Sequence, residues 1–165
     1  MAKTKKAISS SVTPRGFFRV QITEDGKGVM GDSGWTENQV TNDGIRDYLV
    51  TWLGAGAGGL SVSHMALGTG GAPAAADNAL SGELVHVADA RKTVSFSSVA
   101  SKTAQFTAAF NSAASFVTAT ANISNVGLFN SSATVSSSLF AGNTYASSSC
   151  ATNQNVNVTY QIRFS

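Results

Sequence analysis

The segment from residue 156 to residue 164 constrains the fold more than any other part of the chain. Apolar and polar side chains alternate along it without a break: Val156, Val158, Tyr160, Ile162 and Phe164 against Asn157, Thr159, Gln161 and Arg163. Because successive side chains of a β-strand point to opposite faces, this pattern predicts a strand with one buried face. Such a strand needs a sheet to pair with and a core to cover, so it predicts a β-rich domain.

Shorter runs of the same kind recur over most of the chain. We expect further strands at Gly16–Ile22, around Val29 and Met30, and at 61–67, 92–98, 103–110, 116–123, 126–130 and 139–145. Turn-forming residues separate these runs, as in the stretch 24–28. About eight strands with frequent turns predict an all-β fold, a β-sandwich or jelly roll.

One stretch follows a helical period instead. Its apolar residues recur at the i, i+3, i+4, i+7 and i+8 spacing of an amphipathic helix: Ile45, Tyr48, Leu49, Trp52 and Leu53. We expect one helix over about 42–53, capped by Thr41 or Asn42 and ended by Gly54. One or two more helical turns are expected within 74–84.

The predicted core collects the apolar residues on the inward faces of these elements: Phe18, Val20, Ile22, Ile45, Leu49, Trp52, Phe106, Leu128, Val158, Tyr160 and Ile162. A chain of 165 residues buries roughly 68–70% of its unfolded surface and does not need disulfides to fold. Cys150 has no second cysteine to pair with, and we interpret it as a small buried apolar residue.

Basic residues mark the beginning of the chain. Lys3, Lys5, Lys6 and Arg15 lie within the first fifteen residues, with no acid among them. We therefore divide the chain into an extended basic arm, 1–15, and one β-sandwich domain, 16–165. The arm, with Pro14 as its pivot, is the predicted partner-binding segment. Four cations without interleaved aromatic residues are a weak signal for nucleic acid, so we expect a protein partner.

The second half of the chain is nearly uncharged. From Thr93 onward Lys102 and Arg163 are the only charged residues, and serine, threonine and asparagine are abundant. A surface of hydroxyls and amides suits close contact with neighbouring subunits. No apolar run reaches the length of a membrane helix, and the first residues lack the apolar stretch of a secretory signal, so we expect no membrane association.

The patterns that commonly carry catalysis or metal binding are incomplete. The loop 68–73 follows a predicted strand but lacks the Gly-Lys-Ser/Thr of a phosphate-binding loop. Neither His64 nor His86 belongs to a metal motif, and both lie among apolar residues. The acids from Asp32 to Asp47 do not have the spacing of a calcium loop. We therefore expect no enzyme activity, no catalytic residue, no cofactor and no metal.

Several short segments in order resemble a known family. They are 35–44 (WTENQVTNDG), 65–70 (MALGTG), 77–80 (DNAL) with Glu83, 125–130 (NVGLFN) and 158–165 (VTYQIRFS). This order resembles small virion structural proteins of tailed bacteriophages, of the head-decoration, head-fibre or tail-component type. The resemblance covers roughly residues 17–165, implies a β domain that is part of a virion, and carries over no catalytic residue.

The resemblance leaves several functions open. The leading hypothesis is a capsid decoration (cement) protein that binds the outside of a phage head and bridges capsid subunits. Its partners would be the major capsid protein or other virion subunits and further copies of itself, for example in a trimer, after assembly in the host bacterial cytoplasm. The alternatives are a tail or fibre-attachment protein and, from another class, a carbohydrate-binding module. Trp52 and Tyr160, placed on predicted core faces, argue against the last.

Overall fold

A computed structural model describes residues 12–55, 59–84, 91–134 and 137–165. Within these ranges it contains ten strands: β1 Pro14–Glu24, β2 Gly28–Asp32, β3 Thr36–Val40, β4 His64–Gly68, β5 Arg91–Thr93, β6 Ser95–Ala100, β7 Thr103–Phe110, β8 Ala121–Phe129, β9 Leu139–Cys150 and β10 Gln154–Phe164. The single helix is π-helical over Gly44–Val50 and α-helical over Thr51–Ala55, and a short 3-10 turn spans Ser112–Ala114. The chain is therefore mostly β, as predicted.

The strands form one antiparallel sheet that nearly closes on itself. Their order is β5-β4-β8-β9-β3-β1-β10-β7-β6, with β2 added to the side of β1. β3 joins the two groups of strands, pairing with β1 on one side and with β9 on the other. β5 and β6 stand at opposite ends of this order but are consecutive in the chain. The chain crosses between the two ends at Val94, whose N–H donates to the Ser63 carbonyl at 2.9 Å.

The longest ladder joins β1 to β10. It runs from the pair Pro14 and Phe164 to the pair Glu24 and Gln154. Both strands alternate in phase, so their apolar side chains share one face, where Phe18 stacks on Tyr160 with ring centroids 5.8 Å apart. Burying each large apolar side chain on this face contributes roughly 1.5–3 kcal/mol.

Burial follows the sequence expectation on the strands. The buried members of the predicted core are Phe18, Val20, Ile22, Phe106, Leu128, Val158, Tyr160 and Ile162. Leu49 is half-buried and packs against this core.

The prediction was wrong for the helix. Ile45 is 41% exposed and Trp52 is 58% exposed, whereas Gly44 and Tyr48 are buried. The reason is the helix type. The N–H of Thr51 reaches the carbonyl of Arg46, five residues back, so each turn holds more residues than an α-helix and the inward face shifts.

The start of the sheet also differs from the prediction. Pro14 and Arg15 belong to β1, and the backbone N–H of Thr13 donates to the Ser165 carbonyl at 3.0 Å. Alternation alone starts at Phe17, because Pro14 and Gly16 carry no amphipathic signal. The strand extends further because β10 offers it a partner along its full length.

Three other segments are organised differently from the expectation. Residues 74–84 form turns and contain no helix. The run 92–98 is divided between β5 and β6, and the strand expected over 126–130 is the second half of β8. The first half of the expected strand 116–123 lies outside β8. For the strands, the pairing partner decides where each one begins and ends, and a local pattern does not contain that information.

Candidate docking groove

The helix is fastened to β9 at its first turn. The Thr41 hydroxyl donates to the carbonyl of Leu139 and accepts the Gly44 N–H at 2.9 Å, so Thr41 caps the helix, one of the two caps that the sequence predicted. The Thr41 N–H donates to the Phe140 carbonyl at 3.0 Å. These bonds hold the beginning of the helix against the beginning of β9.

Tyr48 fixes the next turn. Its ring packs on Phe140 with centroids 4.9 Å apart, and its hydroxyl donates to the carbonyl of Ser138. Burial raises the pKa of Tyr48 well above its usual value, and the nearby Asp47 charge raises it further. The phenol therefore stays neutral and serves as an anchor, and the residues beside it on the helix are free to face outward.

A groove of about 650 Å³ lies between this helix and the sheet. Its lining is apolar and aromatic throughout. The helix, the start of β1 with the residue Val12 before it, β7 and β10 contribute Ile45, Leu49, Trp52, Val12, Pro14, Phe106, Ile162 and Phe164. Tyr48 and Phe140 also line it. No charged side chain of the described residues takes part.

The rim of the groove exposes large apolar side chains. Val12 is 76% exposed, and Trp52 and Ile45 project from the helix side. Phe96 of β6 does not line the groove itself, but it is 64% exposed and contacts Phe106 of the lining, with ring centroids 5.6 Å apart. Contiguous exposed apolar surface of this kind marks interaction sites on proteins. We call the groove with its rim residues Val12, Ile45, Trp52 and Phe96 the docking face.

The predicted partner-binding residues fall in different places. Lys3, Lys5 and Lys6 lie outside the described residues. Pro14 lines the groove from within β1, so it is a wall of the docking face and not a pivot. Arg15 forms an ion pair of 2.7 Å with Glu37 on β3, so its charge is engaged within the chain.

The segments that carry the phage resemblance interlock. Asn125, at the start of the NVGLFN segment, is fully buried, and its amide donates to the carbonyls of Gly71 and Ser81 at 3.1 and 2.8 Å. The Thr69 and Gly70 N–H groups donate to the Gly82 and Ser81 carbonyls. These amides are therefore committed to the protein's own backbone, as expected for a turn and not for a phosphate cradle.

A buried ion pair completes this network. Arg91 and Glu83 bond through two contacts, with side chains 1% and 8% exposed. Arg91 also donates to the carbonyls of Ser131 and Ala133 and lies 3.6 Å over the ring of Phe129. The hydrogen bonds to Ser131 and Ala133 attach the loop after β8 to this buried ion pair, so we interpret Arg91 as a structural residue.

The other candidates for chemistry are also engaged. Asp32 accepts from Arg19, which lowers the pKa of that carboxyl well below its usual value, and from the Gly34 N–H. His64 lies 2.8 Å from the Ser63 hydroxyl, and burial lowers its pKa. His86 lies outside the described residues. Within the described ranges no three His, Cys, Asp or Glu side chains are grouped closely enough to hold a metal ion, and no helix could span a membrane.

Sequence reasoning missed the docking face. It placed Ile45 and Trp52 in the core and gave Phe96 no role. One signal was available: the β6 segment, Ser95–Ala100, has no charge and no proline, although it begins right after the charged residues of β5. No protein-family model, curated protein or solved structure matches the chain.

Proposed function

We propose that the chain is a non-enzymatic structural subunit of a tailed-phage virion, and specifically a capsid decoration protein that binds the outside of the head and bridges capsid subunits. The observation that carries the proposal is the docking face. An uncharged apolar groove flanked by exposed Trp52 and Phe96 is the surface of a subunit that is covered in its assembly.

The uncharged polar surface of the last three strands supports this role. β8, β9 and β10 carry a single charged residue, Arg163, and their outward residues are mainly serine, threonine and asparagine. Such a surface meets neighbours without charge repulsion, and repeated weak contacts around a symmetric particle add up to firm retention. We interpret the two groups of strands joined at β3 as the two layers of a β-sandwich of jelly-roll type.

The motif residues support a structural role in the same way. Asn125, Glu83 and Phe129 belong to the segments that resemble virion proteins, and each of them holds the fold together. If these segments are shared with such proteins, what they share is a scaffold. The surface that meets a partner then differs from one protein to the next.

A carbohydrate-binding module is the alternative from another class. The exposure of Trp52 and Trp35 removes one argument against it, because both rings are accessible to a sugar. The lining of the groove opposes it. A sugar needs hydrogen-bonding groups around the aromatic platform, whereas the Tyr48 hydroxyl in the groove is already donated to the Ser138 carbonyl.

The test is the position and copy number of the chain in particles made by the virus that encodes it. Quantitative mass spectrometry of purified particles and cryo-electron microscopy should find hundreds of copies on the outside of the head. A handful of copies at the tail would favour the tail or fibre-attachment alternative. Particles that lack the chain altogether would refute a virion role, and glycan-array binding through Trp52 would then favour the alternative.

A further inference from the structure

β6 is an edge strand that no strand of the described ranges pairs with on its outer side. It is the last strand of the sheet order, pairs with β7 alone, and all six of its residues are exposed. Among the described residues the main-chain groups of β6 bond to β7 only, except that the Ala100 carbonyl also accepts from the Ser98 hydroxyl at 3.4 Å. Proteins usually protect such an edge with charged residues or proline, and the β6 sequence Ser95–Ala100 has neither.

The edge and the groove form one surface. Phe96 of β6 lies opposite Phe106 of β7 in the ladder, and Phe106 lines the groove. A strand added beside β6 would therefore pair with free main-chain groups and at the same time lay side chains toward Phe96 and the groove mouth. Pairing of this kind combines main-chain hydrogen bonds with apolar contacts from alternate side chains.

We propose that this surface binds a second copy of the same chain, with β6 pairing antiparallel to β6 of that copy across a two-fold axis. The inference rests on the proposed role as a subunit of an assembly and names the partner of the docking face. An antiparallel edge-to-edge contact is isologous, so each copy supplies the same residues and the contact closes at two copies.

Chemistry favours a second copy as the occupant. An apolar, uncharged surface fits the groove best. The docking face of a second copy is such a surface, since its Trp52 and Phe96 are more than half exposed. The strand brought by the second copy is uncharged, so no repulsion opposes the approach. A strand bearing lysines or acids would leave its charges against the apolar lining without a partner.

The available area is adequate for such a contact. Exposed Trp52 and Phe96 contribute on the order of 100–150 Å² each, and with Val12, Ile45 and β6 the face offers on the order of 600 Å² per copy. A standard interface buries about 800 Å² per partner. The bulge between Ser98 and Ala100 limits the straight pairing run to Ser95–Ser98. We therefore expect a reversible dimer whose population depends on concentration.

The test is the mass of the purified full-length chain in solution, by sedimentation velocity over a range of concentrations. We expect twice the chain mass at high concentration and a shift toward the monomer on dilution. Phe96→Asp should be monomeric at every concentration and remain folded. Its melting temperature should fall only slightly, because its side chain is 64% exposed and loses one ring contact, with Phe106, besides the dimer. Trp52→Ser on the facing wall should weaken the dimer. The matched control is Val29→Asp on β2, an exposed apolar residue outside the docking face that should leave the dimer intact.

Two results would overturn the proposal: a wild-type chain that stays monomeric at its highest soluble concentration, or a Phe96→Asp variant that dimerises as the wild type does. Neither result bears on the location of the chain in particles, so a failure of this inference can be told apart from a failure of the proposed function.

Discussion

Gly44 lies so close to Phe140 that a Cβ atom added to it would stand 2.1 Å from the Phe140 carbonyl oxygen. This contact brings the backbone of the helix directly onto β9. No other residue type allows that approach, because any Cβ would push the helix off the strand. The position of the groove therefore depends on this one missing side chain.

Gly44→Ala should destabilise the protein by about 1–3 kcal/mol, the usual cost of forcing an extra carbon into a packed site. Urea unfolding measures the change. Gly54→Ala is the matched control, because nothing lies within 4 Å of a Cβ there. Alanine at that helical position should instead stabilise by about 0.5–1 kcal/mol. Equal effects at the two glycines would contradict the close contact.

Removing the charge of Glu83 should be costly. Glu83→Gln leaves the Arg91 guanidinium buried without its counter-charge, and we expect a loss of about 3–5 kcal/mol in the free energy of unfolding. Glu37→Gln breaks the Arg15–Glu37 pair, whose side chains are each 53% exposed, and should cost no more than about 1 kcal/mol. A comparable loss from both substitutions would show that the Arg91 pair is not buried in solution.

Asn125 of β8 connects that strand to the loop 68–73 through side-chain hydrogen bonds. Asn125→Ala leaves the Gly71 carbonyl without its donor among the described residues and takes from the Ser81 carbonyl one of its two donors, the other being the Gly70 N–H. The loss should cost about 1–3 kcal/mol. Asn122→Ala, three residues earlier on an exposed position of β8, should change stability by less than about 0.5 kcal/mol. Thermal unfolding of the two variants side by side gives the comparison, and hydrogen exchange at Thr69 and Gly70 should rise in Asn125→Ala alone.

The tyrosines predict how stability depends on high pH. All three tyrosines of the chain, Tyr48, Tyr145 and Tyr160, are buried, and desolvation raises the pKa of each above the unfolded value of about 10. The folded state keeps these protons while the unfolded state loses them. Stability is therefore complete below about pH 10 and falls above it, by up to about 4 kcal/mol per pH unit for three groups.

In an alkaline titration, the absorbance of tyrosinate should rise only as the protein unfolds, and not before. Tyr160→Phe provides the check, because the Tyr160 hydroxyl is buried without a hydrogen-bond partner among the described residues. Its removal should leave stability at neutral pH unchanged or raise it, and should reduce the alkaline slope by about a third. Tyrosinate that forms gradually in the folded protein would contradict this burial.

The strands could be predicted from the sequence because alternation is a local property. The period-two runs in β1, β7 and β10 correspond to the buried Phe18, Phe106 and Tyr160. The ends of strands could not be predicted, because a partner strand decides them. β1 extends back to Pro14 only because β10 continues beside it as far as Phe164.

The docking face could not be predicted from local patterns either, because contacts distant in the sequence determine it. The spacing of Ile45, Leu49 and Trp52 fits an α-helix, and an α-helix would bury all three. The segment takes the wider π form over Gly44–Val50, in which Gly44 and Tyr48 are buried, and Trp52 in the α-helical turn that follows is largely exposed. Contacts with Leu139 and Phe140, nearly a hundred residues away, accompany this choice.

The position of β3 has a mechanical consequence. Its ladder with β9 holds just two residue pairs, Gln39 with Gly142 and Val40 with Ala141, whereas β1 and β10 are paired along their whole length. A force that pulls the strands apart across the sheet should break the two-pair β3–β9 ladder before it breaks the longer ladders within either group of strands. Under tension the sheet should therefore separate first between β3 and β9 and leave the two groups of strands intact. Chain connections at Val94, at 111–120 and at 151–153 still join the groups, so the strands can pair again when the load is released.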